Sequence, residues 1–305
     1  MQLYYYQRRD RQPNFGDELN RWLWSRLLPD FFDDDATTRF VGTGTLLNQR
    51  LPERTRQANR VVIFSSGAGY ESPLKQIPDH WQIYCVRGPR SAQQLGLPDK
   101  MAIADGGLLV NQCFQPVDAH ACKGASFIPH IHHANYAQPE WELLCQGANI
   151  RYIDPRWPVE QVLQAIGESS VLLAEAMHGA IVADALRVPW VPIVTSPRIL
   201  RFKWLDWCDS MGLPYRPQYL APLADYPRYG RGLRSGLRTA LHWGHLSLVD
   251  WGNQPFEAQL RRLEQVKAVE PCLSEGEIAQ RRVAALLDRL ETMGKAERAS
   301  SARVT

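Results

Sequence analysis

Apolar residues along the chain gather into short continuous runs, each closed by Gly, Pro or Asp. Between those runs, apolar positions recur every three to four residues. LYYY (3–6), RFVG (39–42), RVVIFSS (60–66), QIYCV (82–86) and MAIA (101–104) read as strands. ELNRWLWSRLL (18–28) and PRSAQQLGL (89–97) carry the helical period between them. Helices set between successive strands act as crossovers, so the strands are predicted to be parallel. The pattern then restarts. GASFIPH (124–130), NIRYID (149–154), VLLA (171–174) and WVPIV (190–194) are four more strands. WELLCQGA (141–148), VEQVLQAIG (159–167), HGAIVADAL (178–186) and ILRFKWLDWCDSMG (199–212) are the helices among them. NQCFQPVDAHACKG (111–124) has no period and reads as a linker, which sets a boundary near residue 118. The expectation is an α/β protein with doubly wound domains over 1–118 and 119–220, a charged helical extension over 221–295 and a disordered polar tail over 296–305.

Composition narrows the class. With 305 residues, 45% hydrophobic and 22% charged, the chain is long enough for two medium domains and is not that of a disordered or fibrous protein. Its 35 basic and 32 acidic residues leave a net charge of +3, too small to imply nucleic acid as a partner. The six cysteines form no CxxC pair and no even framework, so neither disulfides nor a zinc ribbon are expected and a reducing cytoplasm fits. MQLYYYQRRD lacks an apolar stretch of signal-peptide length, and no window approaches about 18 uninterrupted apolar residues, so neither a cleavable signal nor a membrane span is expected.

In doubly wound sheets, ligands sit beyond the carboxyl ends of the strands. Those ends carry NFGDE (14–18), GTGT (42–45), SSGAG (65–69), VRGPRS (86–91) and ADGG (104–107), where glycines allow close backbone approach. GTGTLL and GAGYES both lack the third glycine of a dinucleotide fingerprint. Asp17 reads either as the N-cap of a helix starting at Glu18 or as a substrate contact. Arg87 reads either as a ligand-facing cation or as a buried ion-pair partner. His130, His132 and His133 lie at a strand end, where they could suggest a metal or hydrogen-bond to a polar cleft. The turn EAMHG (175–179) joins a strand to a small-residue helix, so its backbone N–H groups are predicted to favour an anion, with His178 in the first turn as a tunable proton donor or a local packing residue. Arg198, Arg201 and Lys203 follow the last strand as an anion grip or as a solvated basic face.

In this order and spacing the motifs resemble the polysaccharide pyruvyl transferase family over roughly residues 12–213. The resemblance rests on Asn14, Gly16 and Asp17, on Ser66 and Gly67, on Arg87 and Ser91, on Asp105, on Pro129 and His130, on the HGAIVADA turn and helix, and on Lys203 ahead of Met211. It implies two Rossmann-like domains facing across a cleft, similar to the GT-B glycosyltransferases. It also implies a reaction of phosphoenolpyruvate with a sugar diol to give a cyclic pyruvate ketal and phosphate. In that reaction His178 is the expected general acid, and Asp17, Asp105 or Glu175 the proton acceptor. Met177, Gly179, Lys203, Arg198, Arg87, Ser66 and Gly67 would hold the donor, and Asn14, Gly16, His130 and His132 the acceptor. Neither a metal nor any other cofactor is expected. Where the family often has Arg-Leu-His, this chain has Ala176, Met177 and His178, so Arg198, Arg201 or Arg87 must replace that arginine. The implied acceptor is an exopolysaccharide or its lipid-linked repeat unit at the inner face of the cytoplasmic membrane, where YGRGLRSGLR (229–238) could meet anionic headgroups. Two rival readings remain: a nucleotide-sugar glycosyltransferase with Asp184 at the ribose, and a non-catalytic scaffold. The sugar, the ketal stereochemistry and the oligomeric state are not legible.

Overall fold

The computed structural model describes residues 1–116, 124–196, 199–220 and 256–301. The chain divides into two compact units, one of Met1–Gln115, Arg201–Tyr215 and Ser274–Thr305, the other of Pro116–Leu200 and Arg216–Leu273. The expected boundary near residue 118, and Arg198 and the 229–238 segment, lie outside the described residues.

The first unit runs β1 (Gln2–Tyr4), α1 (Phe15–Leu27), β2 (Thr38–Val41), α2 (Leu51–Arg54), β3 (Arg60–Ser66), β4 (Trp81–Val86) and α3 (Pro89–Gln94), followed by 3-10 turns at Asp99–Met101 and Gly106–Gln112. Its four strands form one parallel sheet in sequence order. Because parallel strands are covered on both faces, β3 reads as a continuous apolar run and is buried from Val61 to Ser66. α1 buries Phe15, Leu19 and Leu23, four apart along one face, with Trp24 beside them. MAIA is not a strand: Ala102 makes a single bridge to Val86, and the 3-10 turn at Asp99–Met101 takes up the start of the run.

The second unit runs β5 (Ala125–Ile128), α4 (Ile131–Gly147), β6 (Arg151–Tyr152), α5 (Val159–Gly167), β7 (Val171–Ala174), α6 (Met177–Ala185), β8 (Trp190–Val194), β9 (Gln218–Tyr219) and α8 (Phe256–Lys267). Its parallel sheet has the order β6-β5-β7-β8-β9. Pro192 is tolerated inside β8 because Trp190, two residues earlier, bonds Cys272 on the side away from β7, and β9 pairs only from Ile193 onward. A side chain at Gly179 of α6 would begin 2.7 Å from Ile128, so the glycine lets this helix lie close on β5.

Two segments depart from the expected domain layout. α7 (Arg201–Ser210), expected in the second domain, belongs to the first unit. α9 (Gly276–Ser301) belongs there too, and it continues through residues expected to form a disordered tail. The physical reason is specific pairing: buried Asp206 of α7 meets Arg87, and Glu297 of α9 accepts from Arg60 Nη2 at 2.6 Å and Tyr84 Oη at 2.9 Å. Among the described residues, no helix is long and apolar enough to cross a membrane.

Candidate active site

At the carboxyl edge of the first sheet, the motifs GTGT, SSGAG and VRGPRS build a lock around Arg87. Its side chain is fully buried. Nε donates to Asp206 Oδ2 at 2.9 Å, Nη1 to Thr45 Oγ1 at 2.8 Å and Nη2 to the Ala68 carbonyl at 3.1 Å. Asp206 also accepts from the Ser91 backbone N–H at 2.8 Å and from its hydroxyl. A side chain on Gly67 would begin 2.1 Å from Arg87 Cζ, and one on Gly88 2.1 Å from the Asp206 carbonyl oxygen. These glycines serve close packing. Ser66 is likewise turned inward, its hydroxyl donating to the Gly44 carbonyl at 3.3 Å. Arg87 is therefore the buried ion-pair partner of its two readings, and no face of it is open to a ligand. Asp105 is also fully buried, caps the second 3-10 turn by accepting from the Gly107 N–H at 2.9 Å, and is raised to about 6 by burial against the pull of Arg87.

Asp17 stands apart from this lock. α1 begins at Phe15, so Asn14 is its N-cap and Asp17 lies inside the first turn rather than capping it. Asn14 Nδ2 donates to Asp17 Oδ2 at 2.7 Å. Burial pushes the Asp17 carboxyl up to about 6, opposed by that hydrogen bond and by the charges of Arg8 and Lys203. Lys203, in the first turn of α7, donates from Nζ to the Tyr70 hydroxyl at 3.0 Å. Gly16 is buried in the same turn of α1. A carboxylate that titrates near neutrality, held by an amide and flanked by an ammonium, can accept a proton from a hydroxyl.

The carboxyl edge of the second sheet is organised by Glu175, which is fully buried. Its Oε2 accepts from the His130 backbone N–H at 2.8 Å and pairs with His133 Nδ1; its Oε1 accepts from the Thr195 N–H at 3.0 Å and from the Thr195 hydroxyl. Burial works to raise this carboxyl, but His133, Thr195 and the His130 N–H together hold it below the ordinary glutamate value. One carboxylate thus ties together the ends of β5, β7 and β8. α4 starts at Ile131, so His132 and His133 lie in its first turn. His130 is its N-cap, with Nδ1 accepting from the His132 N–H at 3.4 Å, and the His130 and His132 rings are 5.0 Å apart. Among the described residues, no three His, Cys, Asp or Glu side chains converge as a metal set.

His178 is half-buried in the first turn of α6, after buried Met177. The N–H groups of Glu175 and Ala176 bond the Ile128 carbonyl, and that of Gly179 bonds the Ala176 carbonyl, so these three serve the turn itself. The predicted residues therefore divide between the units: Asn14, Gly16, Asp17 and Lys203, with the inward-turned Ser66, Gly67, Arg87 and Asp105, in the first, and His130, His132, Glu175, Met177, His178 and Gly179 in the second.

Residues 14–197 match the family model described as Polysaccharide pyruvyl transferase, more than half of the chain. The chain belongs to the polysaccharide pyruvyl transferase family. Over 220 residues, 72% of this chain and 67% of the relative, it is 39% identical to the succinoglycan biosynthesis protein ExoV of Rhizobium meliloti (strain 1021). It is accordingly a transferase of pyruvyl groups in polysaccharide biosynthesis, with a polysaccharide acceptor.

The pyruvyltransferase match ends before α7, yet that helix supplies Lys203 and Asp206 to the first unit. Asp206 was not singled out in the sequence; its signal is an acid set between Trp204 and Trp207 in a helix whose burial a charge alone would oppose. Thr195 and Tyr70 also escaped notice. Of the cations weighed for the missing arginine, Arg87 is sealed in the lock and Arg201 is exposed on α7. Arg156, just beyond β6, also stands at the carboxyl edge of the second sheet, with Nε donating to Asp154 Oδ1 at 2.8 Å.

Proposed function

We propose that this pyruvyltransferase uses phosphoenolpyruvate as donor and forms a cyclic pyruvate ketal on a sugar diol of an exopolysaccharide or its lipid-linked repeat unit. The donor methylene is protonated, two sugar hydroxyls add to C2, and inorganic phosphate departs. One hydroxyl proton balances the new methyl group and the other leaves with phosphate. His178 is the general acid, kept protonated by the donor's own negative charge. Asp17 is the proton acceptor, a choice supported over Asp105 and Glu175 by burial: both of those are fully buried and engaged in structural hydrogen bonds. Lys203 holds donor charge, and Asn14 and His130 orient the acceptor. The scheme calls for no metal and no other cofactor. It requires both sets of residues to act on one substrate pair, the GT-B-like arrangement that the resemblance implies, with peripheral contact at the inner face of the cytoplasmic membrane.

What supports this reading is the placing of the Asp17 carboxyl 2.7 Å from the Asn14 amide and under the charge of Lys203, in a chain of this family. The glycosyltransferase reading loses support because Asp184, its ribose ligand, is fully buried and accepts from Trp190 Nε1 at 3.1 Å. Purified protein supplied with phosphoenolpyruvate and sugar acceptors is expected to release phosphate only when an acceptor is present, with a product of ketal mass. Turnover of a nucleotide sugar, with phosphoenolpyruvate inert, would overturn the reading.

A further inference from the structure

Tyr70 presents an aromatic ring at the carboxyl edge of the first sheet, four residues beyond the end of β3. It is one of few large apolar side chains left exposed among the described residues, at 43%. Its backbone is in the left-handed region, with φ of 128° at Gly69, 49° at Tyr70 and 25° at Glu71. Only the first of these is a glycine, so the turn holds two ordinary residues where side chains are disfavoured. The ring is nevertheless anchored. Its hydroxyl accepts from Lys203 Nζ at 3.0 Å, and the ammonium lies 5.4 Å from the ring centroid. Lys203 in turn acts electrostatically on Asp17, as does Arg8, and Asn14 donates to the same carboxyl.

A pyranose has two chemistries: apolar C–H faces and a polar rim of hydroxyls. A site for one needs a flat apolar surface to cover the face and a few donors and acceptors to read the rim. The loop after β3, the start of α1 and the start of α7 bring both kinds of group into one neighbourhood. We propose that Tyr70 is the acceptor platform: the sugar ring lies against Tyr70, and its reacting hydroxyls point toward Asp17, Asn14 and Lys203. This rests on the ketal-forming reading above and adds to it a residue that fixes which hydroxyls reach the base. Lys203 then has two tasks, holding donor charge and fixing the tilt of the platform through the tyrosine hydroxyl.

The test is steady-state phosphate release by the full chain from phosphoenolpyruvate, with the methyl pyranosides of glucose, galactose and mannose, each free at the 4- and 6-hydroxyls, as acceptors. For the pyranoside the wild type turns over, Tyr70→Ala is expected to raise the acceptor KM about tenfold or more, while the phosphoenolpyruvate KM stays within about twofold. Tyr70→Phe and Tyr70→Trp keep a platform and are expected to keep the acceptor KM within about threefold. Unaltered acceptor saturation in Tyr70→Ala, or equal damage from Tyr70→Phe, would overturn the platform and leave Tyr70 as a strut for Lys203. Should Tyr70→Ala not fold, Tyr70→Trp against Tyr70→Phe decides alone: a larger ring must bind acceptor at least as well as the smaller one, and weaker binding rejects the proposal. Absence of phosphate release by the wild type with all three pyranosides is a different result, and it counts against the ketal-forming reading itself.

Discussion

Asp17 and Glu175 occupy comparable places, each near the carboxyl edge of a parallel sheet, and their surroundings drive them in opposite directions. Glu175 is sealed from water yet receives two backbone N–H groups, a hydroxyl and an imidazole, and its carboxyl lies below the ordinary value. Asp17 receives one side-chain amide and is raised to about 6. Burial alone therefore does not set the direction in which a carboxylate shifts; the number of donors spent on it does. Glu175 is built to stay ionised and to hold three strand ends together. In the proposed reaction Asp17 is the carboxylate that exchanges a proton. The Arg87 and Asp206 lock belongs with Glu175, a buried charge whose partners are all inside the fold.

The comparison can be broken first through stability. Asp206→Ala strands the buried Arg87 guanidinium, and Glu175→Ala strands the His133 and Thr195 donors, so each is expected to cost about 3–5 kcal/mol in denaturant unfolding. A loss below about 1 kcal/mol would show that these groups are not the structural half of the contrast. For Glu175 the sign in pH follows from its depressed value. Its contribution is full above the unfolded glutamate value of 4.5 and is lost as pH falls through the lower folded value. Asp17→Asn comes next, with kcat expected to drop about 100-fold or more as the proposed base is removed. Lys203→Ala is expected to raise the phosphoenolpyruvate KM about tenfold, read in steady-state kinetics. The smallest effect sharpens the contrast most. Asp17 binds its proton more tightly folded than unfolded, so its ionised form costs stability at neutral pH and that cost disappears as pH falls from about 6 toward 3.8. Asp17→Asn should therefore gain about 1 kcal/mol at pH 7.5 in thermal unfolding, while losing activity.

The parallel strands were legible because burial on both faces turns them into continuous apolar runs: β3, β7 and β8 have the predicted bounds. MAIA failed because a short apolar run between Pro98 and Asp105 is also what a 3-10 turn looks like. The start of α4 was hidden by its histidines, by Pro139 and by the non-helical backbone at Ala137, which together break the helical period. Helix over 296–301 was missed because the small and polar residues of the tail read as disordered, although Ala, Glu and Arg are good helix formers and Glu297 has partners elsewhere in the unit. The motif residues of the site were visible, but not their division of labour. Arg87 and Asp206 lie 119 positions apart, and no local pattern announces that one neutralises the other. The membership of α7 in the first unit, which brings Lys203 to Asp17, was out of reach for the same reason.

In the proposed reaction the environment of Asp17 makes it the proton-accepting carboxylate. Carbon-13 NMR titration of the Asp side-chain carboxyls, with Asp17 assigned through Asp17→Asn, addresses it directly. A midpoint near 6 in the wild type, moved higher in Lys203→Ala because that ammonium lowers it, is the predicted result. A midpoint at or below 3.8, indifferent to Lys203, would contradict the account.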